Sequence, residues 1–143
     1  MILSKHFTLE EMTFSETAKR LGIDNTPNEE QYKNLFNLCH IVLEPLRDVV
    51  GAIKINSGYR SPEVNKKVGG VATSQHCKGQ AADTVALGMT IKDYFAKIQE
   101  LVKAKDLIVD QCIDEYGWVH ISFVETGNRN QFLIKDKNGY KQV

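Results

Sequence analysis

Polar and apolar positions change period along this chain, and the changes divide it into elements. Thr8-Leu9-Glu10-Glu11 has the form of a capping box and predicts a short helical stretch that ends near Gly22. Asp24-Asn25-Thr26 reads as a turn. Thr26-Pro27-Asn28-Glu29 then reads as a second capping box, with proline at the first helical position, where its missing N–H costs nothing. Behind it Tyr32, Leu35, Phe36, Cys39, Leu43 and Leu46 recur at helical spacing, as in an amphipathic core helix. His40 falls off that stripe and faces solvent, and Pro45 is expected to kink or end the helix before Gly51. Over residues 52–57 the period drops to two, that of a half-buried strand.

Ser61-Pro62-Glu63 starts a short helix that Gly69-Gly70 closes, and residues 81–87 read as a further strand. Thr90 caps a helix whose Ile91, Phe95, Ile98 and Val102 face the core. Residues 107–124 read strand, tight turn, strand; Phe132, Ile134 and an Asn138-Gly139 turn predict a C-terminal hairpin. This order predicts an α+β fold, a largely antiparallel sheet with helices on one side. No repeat, low-complexity tract or linker interrupts it, and 143 residues fit one domain with a substantial core. The expected layout is leading helices over residues 8–50, a central body over 52–124 and the hairpin over 130–143.

Charge narrows the function classes. Lys+Arg and Asp+Glu both number 18, so no global field draws this chain to nucleic acid or an anionic membrane. No apolar run approaches the roughly 18 residues of a membrane span. The opening MILSKHFTLEEM lacks the basic start and apolar stretch of a secretory signal. The expectation is a monomer that is cytoplasmic as synthesised, with neither nucleic acid nor membrane as partner. Cys39, Cys77 and Cys112 are odd in number and widely spaced, which fits reduced thiols better than a disulfide framework or a CxxC zinc site.

Candidate chemistry gathers in two places. Ser74-Gln75-His76-Cys77-Lys78-Gly79-Gln80-Ala81-Ala82-Asp83 sets a histidine, a cysteine and an aspartate within one short stretch. The second place is Val109–Phe123, VDQCIDEYGWVHISF. Gly117 sits where a two-residue turn, Tyr116-Gly117, wants a residue at positive φ. That turn places Glu115 opposite Trp118, and the alternation of a strand puts His120 on the face of Trp118. Glu115 and His120 then become diagonal neighbours at about 7–8 Å, with room between them for a metal ion and a water. Asp114 points the other way, with Val119, Ile121 and Phe123; one more residue in the turn would reverse the choice. His76, Asp83 and His120 together are the N/O ligand set of a catalytic zinc site, which leaves its fourth position to water. Zinc makes that water more acidic, and a nearby carboxylate such as Glu115 can take its proton. Spacing alone does not distinguish this set from histidines that are ordinary polar surface or core residues, since His-x6-Asp is a common accident.

The residues also resemble a known family. Asn56-Ser-Gly-Tyr-Arg60-Ser-Pro, Asn65, Gly69-Gly70, Ser74-x-His76-x-x-Gly79-x-Ala81-x-Asp83 and Trp118-Val-His120-Ile-Ser are similar to the M15 zinc peptidases, the D-alanyl-D-alanine carboxypeptidase and phage-endolysin group that shares its fold with the Hedgehog signalling domain. The similarity is specific over residues 57–123 and looser over the leading helices. It implies a Hedgehog/DD-peptidase-like fold, Zn2+ as cofactor, His76, Asp83 and His120 as its ligands, and Glu115 as catalytic base. In several branches the base lies three residues before the last histidine, where this chain has Gly117. Asp110-Gln111-x-Ile113-x-Glu115 instead resembles the branch whose base precedes a hairpin turn.

The resemblance further implies that Arg60 faces the site and binds a substrate carbonyl or carboxylate, a role suited to a forked, permanently charged donor. The bland alternative for Arg60 is a surface salt bridge. Ser74 is a candidate for orienting the loop or the substrate, and Trp118 for lining the cleft, against the alternative of a core tryptophan. Tyr59 reads as packing. Cys77 follows His76 directly, and adjacent residues in an extended segment point apart, so it reads as a bystander rather than a nucleophile. The expected activity is zinc-dependent hydrolysis of peptidoglycan stem peptides, as in phage or prophage lysis or wall remodelling. The alternatives are a D-Ala-D-Ala carboxypeptidase or dipeptidase, and a non-catalytic zinc-containing binding module.

Overall fold

Short polar side chains start nearly every helix of this protein, though not always the ones the sequence pattern selects. The computed structural model describes all 143 residues. Thr8 accepts a hydrogen bond from the Glu11 N–H and opens α1 (Leu9–Thr13). Ser15 then caps a separate helix, α2 (Glu16–Leu21), which Gly22 ends at a φ of 67°. The single stretch expected here is thus two short helices, because Ser15 offers a second cap. The next cap also differs: Asn28, not Thr26, exchanges hydrogen bonds with Gln31 in a complete capping box, so Pro27 lies outside α3 (Glu29–Asn37).

A π-helical segment, Leu38–Leu43, carries α3 into α4 (Glu44–Val50). Across it the Glu44 N–H reaches back five residues to the Cys39 carbonyl, so the ladder widens just ahead of Pro45, which has no N–H to give. The helix therefore continues past the proline to Val50. The wider turn also rotates the buried face. Leu35, Leu38, Cys39, Val42, Leu43 and Leu46 are buried, whereas Phe36 is exposed and Tyr32 half-buried. Each fully buried leucine there contributes about 1.5–3 kcal/mol.

The remaining elements are β1 (Ile53–Ser57), α5 (Pro62–Lys67), β2 (Ala81–Ala86), α6 (Ile91–Lys103), β3 (Gln111–Asp114), β4 (Val119–Ser122), β5 (Gln131–Asp136) and β6 (Gly139–Gln142), with a 3-10 turn at Gln75–Lys78 before β2. The strands form one sheet in the order β1-β2-β4-β3-β5-β6. Every neighbouring pair is antiparallel except β3 and β5, which run parallel. The fold is α+β, one domain with a mostly antiparallel sheet.

Alternation gives the sheet two unlike faces. Ala82, Cys112, Val119, Ile121 and Phe132 join the helices in the core. Helix α6, capped by Thr90, brings Tyr94, Phe95 and Ile98 onto them. The buried Tyr94 hydroxyl is satisfied by Thr84, whose own hydroxyl can donate to the Val119 carbonyl. The opposite face carries Asp83, Ile113, His120 and Leu133 and floors a cleft. The C-terminal turn falls one residue earlier than expected: Lys137 and Asn138 form the loop and Gly139, at a φ of 108°, begins β6. The Asp136 carboxylate accepts from the Asn138 N–H and fixes that position. No helix is long and apolar enough to cross a membrane.

Candidate active site

His76 is held by backbone that other elements hold in turn. Ser74 accepts from the His76 N–H at the start of the 3-10 turn, and Gly79 ends the turn at a φ of 74°. A Cβ at Gly79 would lie 2.4 Å from the Gln31 carbonyl oxygen, so α3 closes against this turn only because the position is glycine. Side chains of α3 complete the clamp: Gln31 donates to the Cys77 carbonyl and Asn34 to the Lys78 carbonyl. From the other side, a bulge near Asn56 in β1 precedes Gly58, whose carbonyl oxygen stands 2.7 Å from His76 Nδ1. Gly58 is as confined as Gly79, since a Cβ there would meet the Met12 carbonyl oxygen at 2.2 Å.

The sheet register supplies the other two groups. Asp83 on β2 pairs directly with His120 on β4. One oxygen of Asp83 lies 3.3 Å from His76 Nε2 and 3.1 Å from His120 Nδ1, and the two imidazole rings meet edge to face. The donor atoms of the three residues all lie within 4.8 Å of one another. Burial works against a charge on Asp83, but the hydrogen bonds from His120 and His76 outweigh it and hold the carboxyl well below the usual range.

These contacts fit a metal ion. A carbonyl only accepts, so His76 Nδ1 must carry hydrogen toward Gly58, and Nε2 then needs either a second proton or a cation between itself and Asp83. With bonds of about 2.0–2.1 Å to zinc, ligands on one tetrahedral ion sit about 3.3 Å apart, close to the two histidine–aspartate separations. The Gly58 carbonyl is the kind of partner that fixes the ring of a metal-bound histidine.

The hairpin from β3 to β4 decides which carboxylate joins this site. Asp114 pairs with Val119, and the Glu115 N–H donates to the Trp118 carbonyl, so Tyr116 and Gly117 form a two-residue loop. Ile113 pairs with His120, which makes Glu115 and His120 diagonal neighbours. The positive φ belongs to Tyr116, at 77°, and not to Gly117 as the sequence pattern suggested. Asp114 accepts from the Tyr116 N–H and braces the loop in that form. Glu115 lines the cleft, and its side chain is 10% exposed.

A family relationship agrees with this geometry. The peptidase M15 family model matches residues 5–122, from the N-terminal segment through β4. The chain belongs to the peptidase M15 family. No curated protein matches it. M15 peptidases are metal-dependent, and His76, Asp83 and His120 are a group that could hold the ion.

Around that group, this M15 peptidase has a cleft of about 550 Å³ that contains Arg60, Ser74, Glu115 and Trp118 as well. Arg60 makes no salt bridge; its Nε is buried without a hydrogen-bond partner, while its backbone N–H binds the His76 carbonyl. Trp118 is 37% exposed and stands in the cleft wall instead of the core. Tyr59 is buried in the core. His40 is exposed, with Nε2 on the Leu3 carbonyl. All three cysteines are free. Burial pushes the Cys39 thiol up to about 12 and raises Cys77 against the opposing pull of Arg60, so neither is an activated thiolate.

The sequence reading missed several cleft residues. Gln111, Arg129, Leu133 and Tyr140 line it, and Gln75 does so from beside His76. The buried Asp110 carboxylate accepts from Gln75 and, through both oxygens, from the Arg129 guanidinium. It thereby ties the His76 turn to the segment leading into β5. A buried aspartate needs such partners, but nothing in the local pattern names an arginine 19 positions away.

Proposed function

We propose that this M15 peptidase is a zinc enzyme that hydrolyses peptide bonds in the stem peptides of bacterial peptidoglycan. One observation carries the reading: two imidazoles and a carboxylate converge in a cleft that also holds an unpaired arginine and a largely buried glutamate. His76, Asp83 and His120 would hold a zinc ion, and when bound it would supply Lewis acidity for polarising a carbonyl and making water more acidic.

The chain's own groups do the rest. Glu115 accepts a proton from the attacking water as the oxygen–carbon bond forms, then returns it to the leaving amine as the carbon–nitrogen bond breaks. Arg60 donates to the carbonyl oxygen, whose negative charge grows in the transition state, or to a free substrate carboxylate. The hydrogen bond of His76 Nδ1 to Gly58 keeps Nε2 turned toward the metal position. Ser74 orients the His76 turn and Trp118 offers a wall to the apolar part of a peptide. The wall-peptide substrate is supported by the similarity of the SGYRSP, SxHxxGxAxD and WxHxS stretches to wall-active M15 enzymes. The protein acts as a monomer on this reading.

The test is mass spectrometry of products from peptidoglycan and from free stem peptides ending in D-Ala-D-Ala, with zinc-loaded protein beside Glu115→Gln. Cleavage within the stem or cross-bridge supports an endopeptidase, and loss of a single D-alanine supports a carboxypeptidase. Retained zinc with no change in either substrate sinks the enzyme reading in favour of a binding module. Equal products from both proteins remove Glu115 from the base role.

A further inference from the structure

The two polar side chains that touch Glu115 both come from the C-terminal hairpin, beyond the residues that the family model matches. Lys135 Nζ lies 3.7 Å from one carboxylate oxygen, and the Tyr140 hydroxyl lies 3.5 Å from the other. Lys135 and Tyr140 are a directly opposed pair across β5 and β6, and the Lys135 ammonium sits 5.7 Å over the Tyr140 ring. Because β5 runs parallel to β3 with Asp114 beside Ile134, Glu115 follows in register beside Lys135. Trp118 and Glu115, just beyond the ends of β4 and β3, thus form one row with Lys135 of β5 and Tyr140 of β6. The next row contains Asp83, His120, Ile113 and Leu133. The hairpin is pinned at its base by the Arg129–Asp110 pair and by the Gln111 amide on Gln131.

We propose that the β5–β6 hairpin is part of the active site, with Lys135 and Tyr140 as positioning residues that hold the Glu115 carboxylate beside the metal-ligand row. This rests on the reading of Glu115 as the proton acceptor. At 3.5 and 3.7 Å these contacts are longer than ordinary hydrogen bonds, so they act through charge and dipole and leave the lone pairs free to receive a proton. The pair also brings a positive charge to within 3.7 Å of a carboxylate that shares its cleft with His76, Asp83, His120, Arg60 and Arg129.

The test uses the full zinc-loaded chain and the wall-peptide assay, with Lys135→Met, Tyr140→Phe and the double variant. Lys141→Met, whose side chain leaves the opposite face of β6, serves as the control. Both target side chains are largely exposed, so the variants are expected to melt as the parent does. The double variant is expected to lose about ten- to a hundredfold in kcat with KM nearly unchanged. Lys135→Arg is expected to recover most of the loss. A kcat within about twofold of the parent overturns the proposal if Glu115→Gln is inactive in the same assay. No turnover by the parent, or full turnover by Glu115→Gln, would instead overturn the reading beneath it.

A second readout needs no turnover. Burial and then the Glu115 charge raise the Tyr140 phenol above its ordinary range. Tyrosinate absorbance, corrected with Tyr140→Phe, is expected to show Tyr140 titrating at lower pH in Glu115→Gln and at higher pH in Lys135→Met. No change in Glu115→Gln would mean that the contact is absent in solution, and the proposal falls.

Discussion

The two ends of the cleft are built in opposite ways. At the histidine end, short side chains are aimed by backbone: His76 by the Gly58 carbonyl and the capped 3-10 turn, Asp83 and His120 by direct strand pairing. At the hairpin end, long and largely exposed side chains reach Glu115 across the sheet surface. Errors at the first end have nowhere to go, because glycine and backbone are packed against each other there. Errors at the second end can be absorbed by a rotamer change. The contrast teaches that the His76–Asp83–His120 group has little room for substitution, while the opposite wall has room for a side chain to be replaced.

The sharpest way to break this contrast is at the ligands. Asp83→Asn is expected to lower metal affinity by at least about a hundredfold, since even supporting groups around a metal are worth ten- to a hundredfold. Glu115→Gln is expected to keep the metal and lose about 10²- to 10⁴-fold in turnover. Metal content by plasma mass spectrometry, measured beside activity, separates the two. Equal metal content in Asp83→Asn and the parent would remove Asp83 from the ligand set.

Gly58→Ala tests whether backbone packing aims His76. The new Cβ would meet the Met12 carbonyl oxygen at 2.2 Å, so the β1 end or α1 must move. The expected cost is about 1–3 kcal/mol in urea unfolding. A metal affinity lower by about ten- to a hundredfold should accompany it, because the carbonyl that orients His76 shifts. Unchanged metal affinity with reduced stability would show that His76 does not depend on Gly58.

Asp110 joins the two ends, and its charge gives that joint a pH dependence. The Arg129 hydrogen bonds hold its carboxyl below the usual range, against the opposing effect of burial and with help from Gln75. A carboxyl depressed in the folded state contributes stability that is present above the unfolded value, about 3.9, and lost as pH falls through the folded one. Asp110→Asn is expected to cost about 1–2 kcal/mol near neutral pH, a figure discounted because Arg129 is half exposed. The gap from the parent in urea melts should then shrink as pH is taken below about 4. A gap that stayed constant across that range would mean that the charge on Asp110 contributes nothing.

The contrast between the ends also explains what could be read in the sequence. Local signals were enough for Ser61, Thr90 and the strand alternation, and the Tyr116-Gly117 loop length correctly put Glu115 and His120 on a diagonal. The pattern erred where two caps compete within a few residues, as with Thr26 and Asn28, since side-chain geometry and not residue type decides between them. It erred again at the C-terminal turn. A loop at Asn138-Gly139 would set Tyr140 opposite Lys137; the observed loop sets it opposite Lys135, within reach of Glu115. The parallel pairing of β3 with β5 closes a connection of more than a dozen residues, and no periodicity inside either strand encodes it. The hairpin wall was therefore invisible as part of the site, although every residue in it was in view.

The smallest expected effect lies at the loop that chooses Glu115. Tyr116 is 90% exposed and occupies a φ of 77°, a conformation in which its Cβ is crowded by its own backbone. Glycine removes that strain but gives the unfolded chain more freedom, and the two effects nearly cancel. Tyr116→Gly is therefore expected to change stability by no more than about 1 kcal/mol, on the stabilising side, while Tyr116→Val costs a similar amount because branching at Cβ worsens the crowding. Urea melts of both variants check the order. If valine were tolerated as well as glycine, the loop in solution would not hold position 116 at positive φ. The two-residue turn that selects Glu115 over Asp114 would then need another explanation.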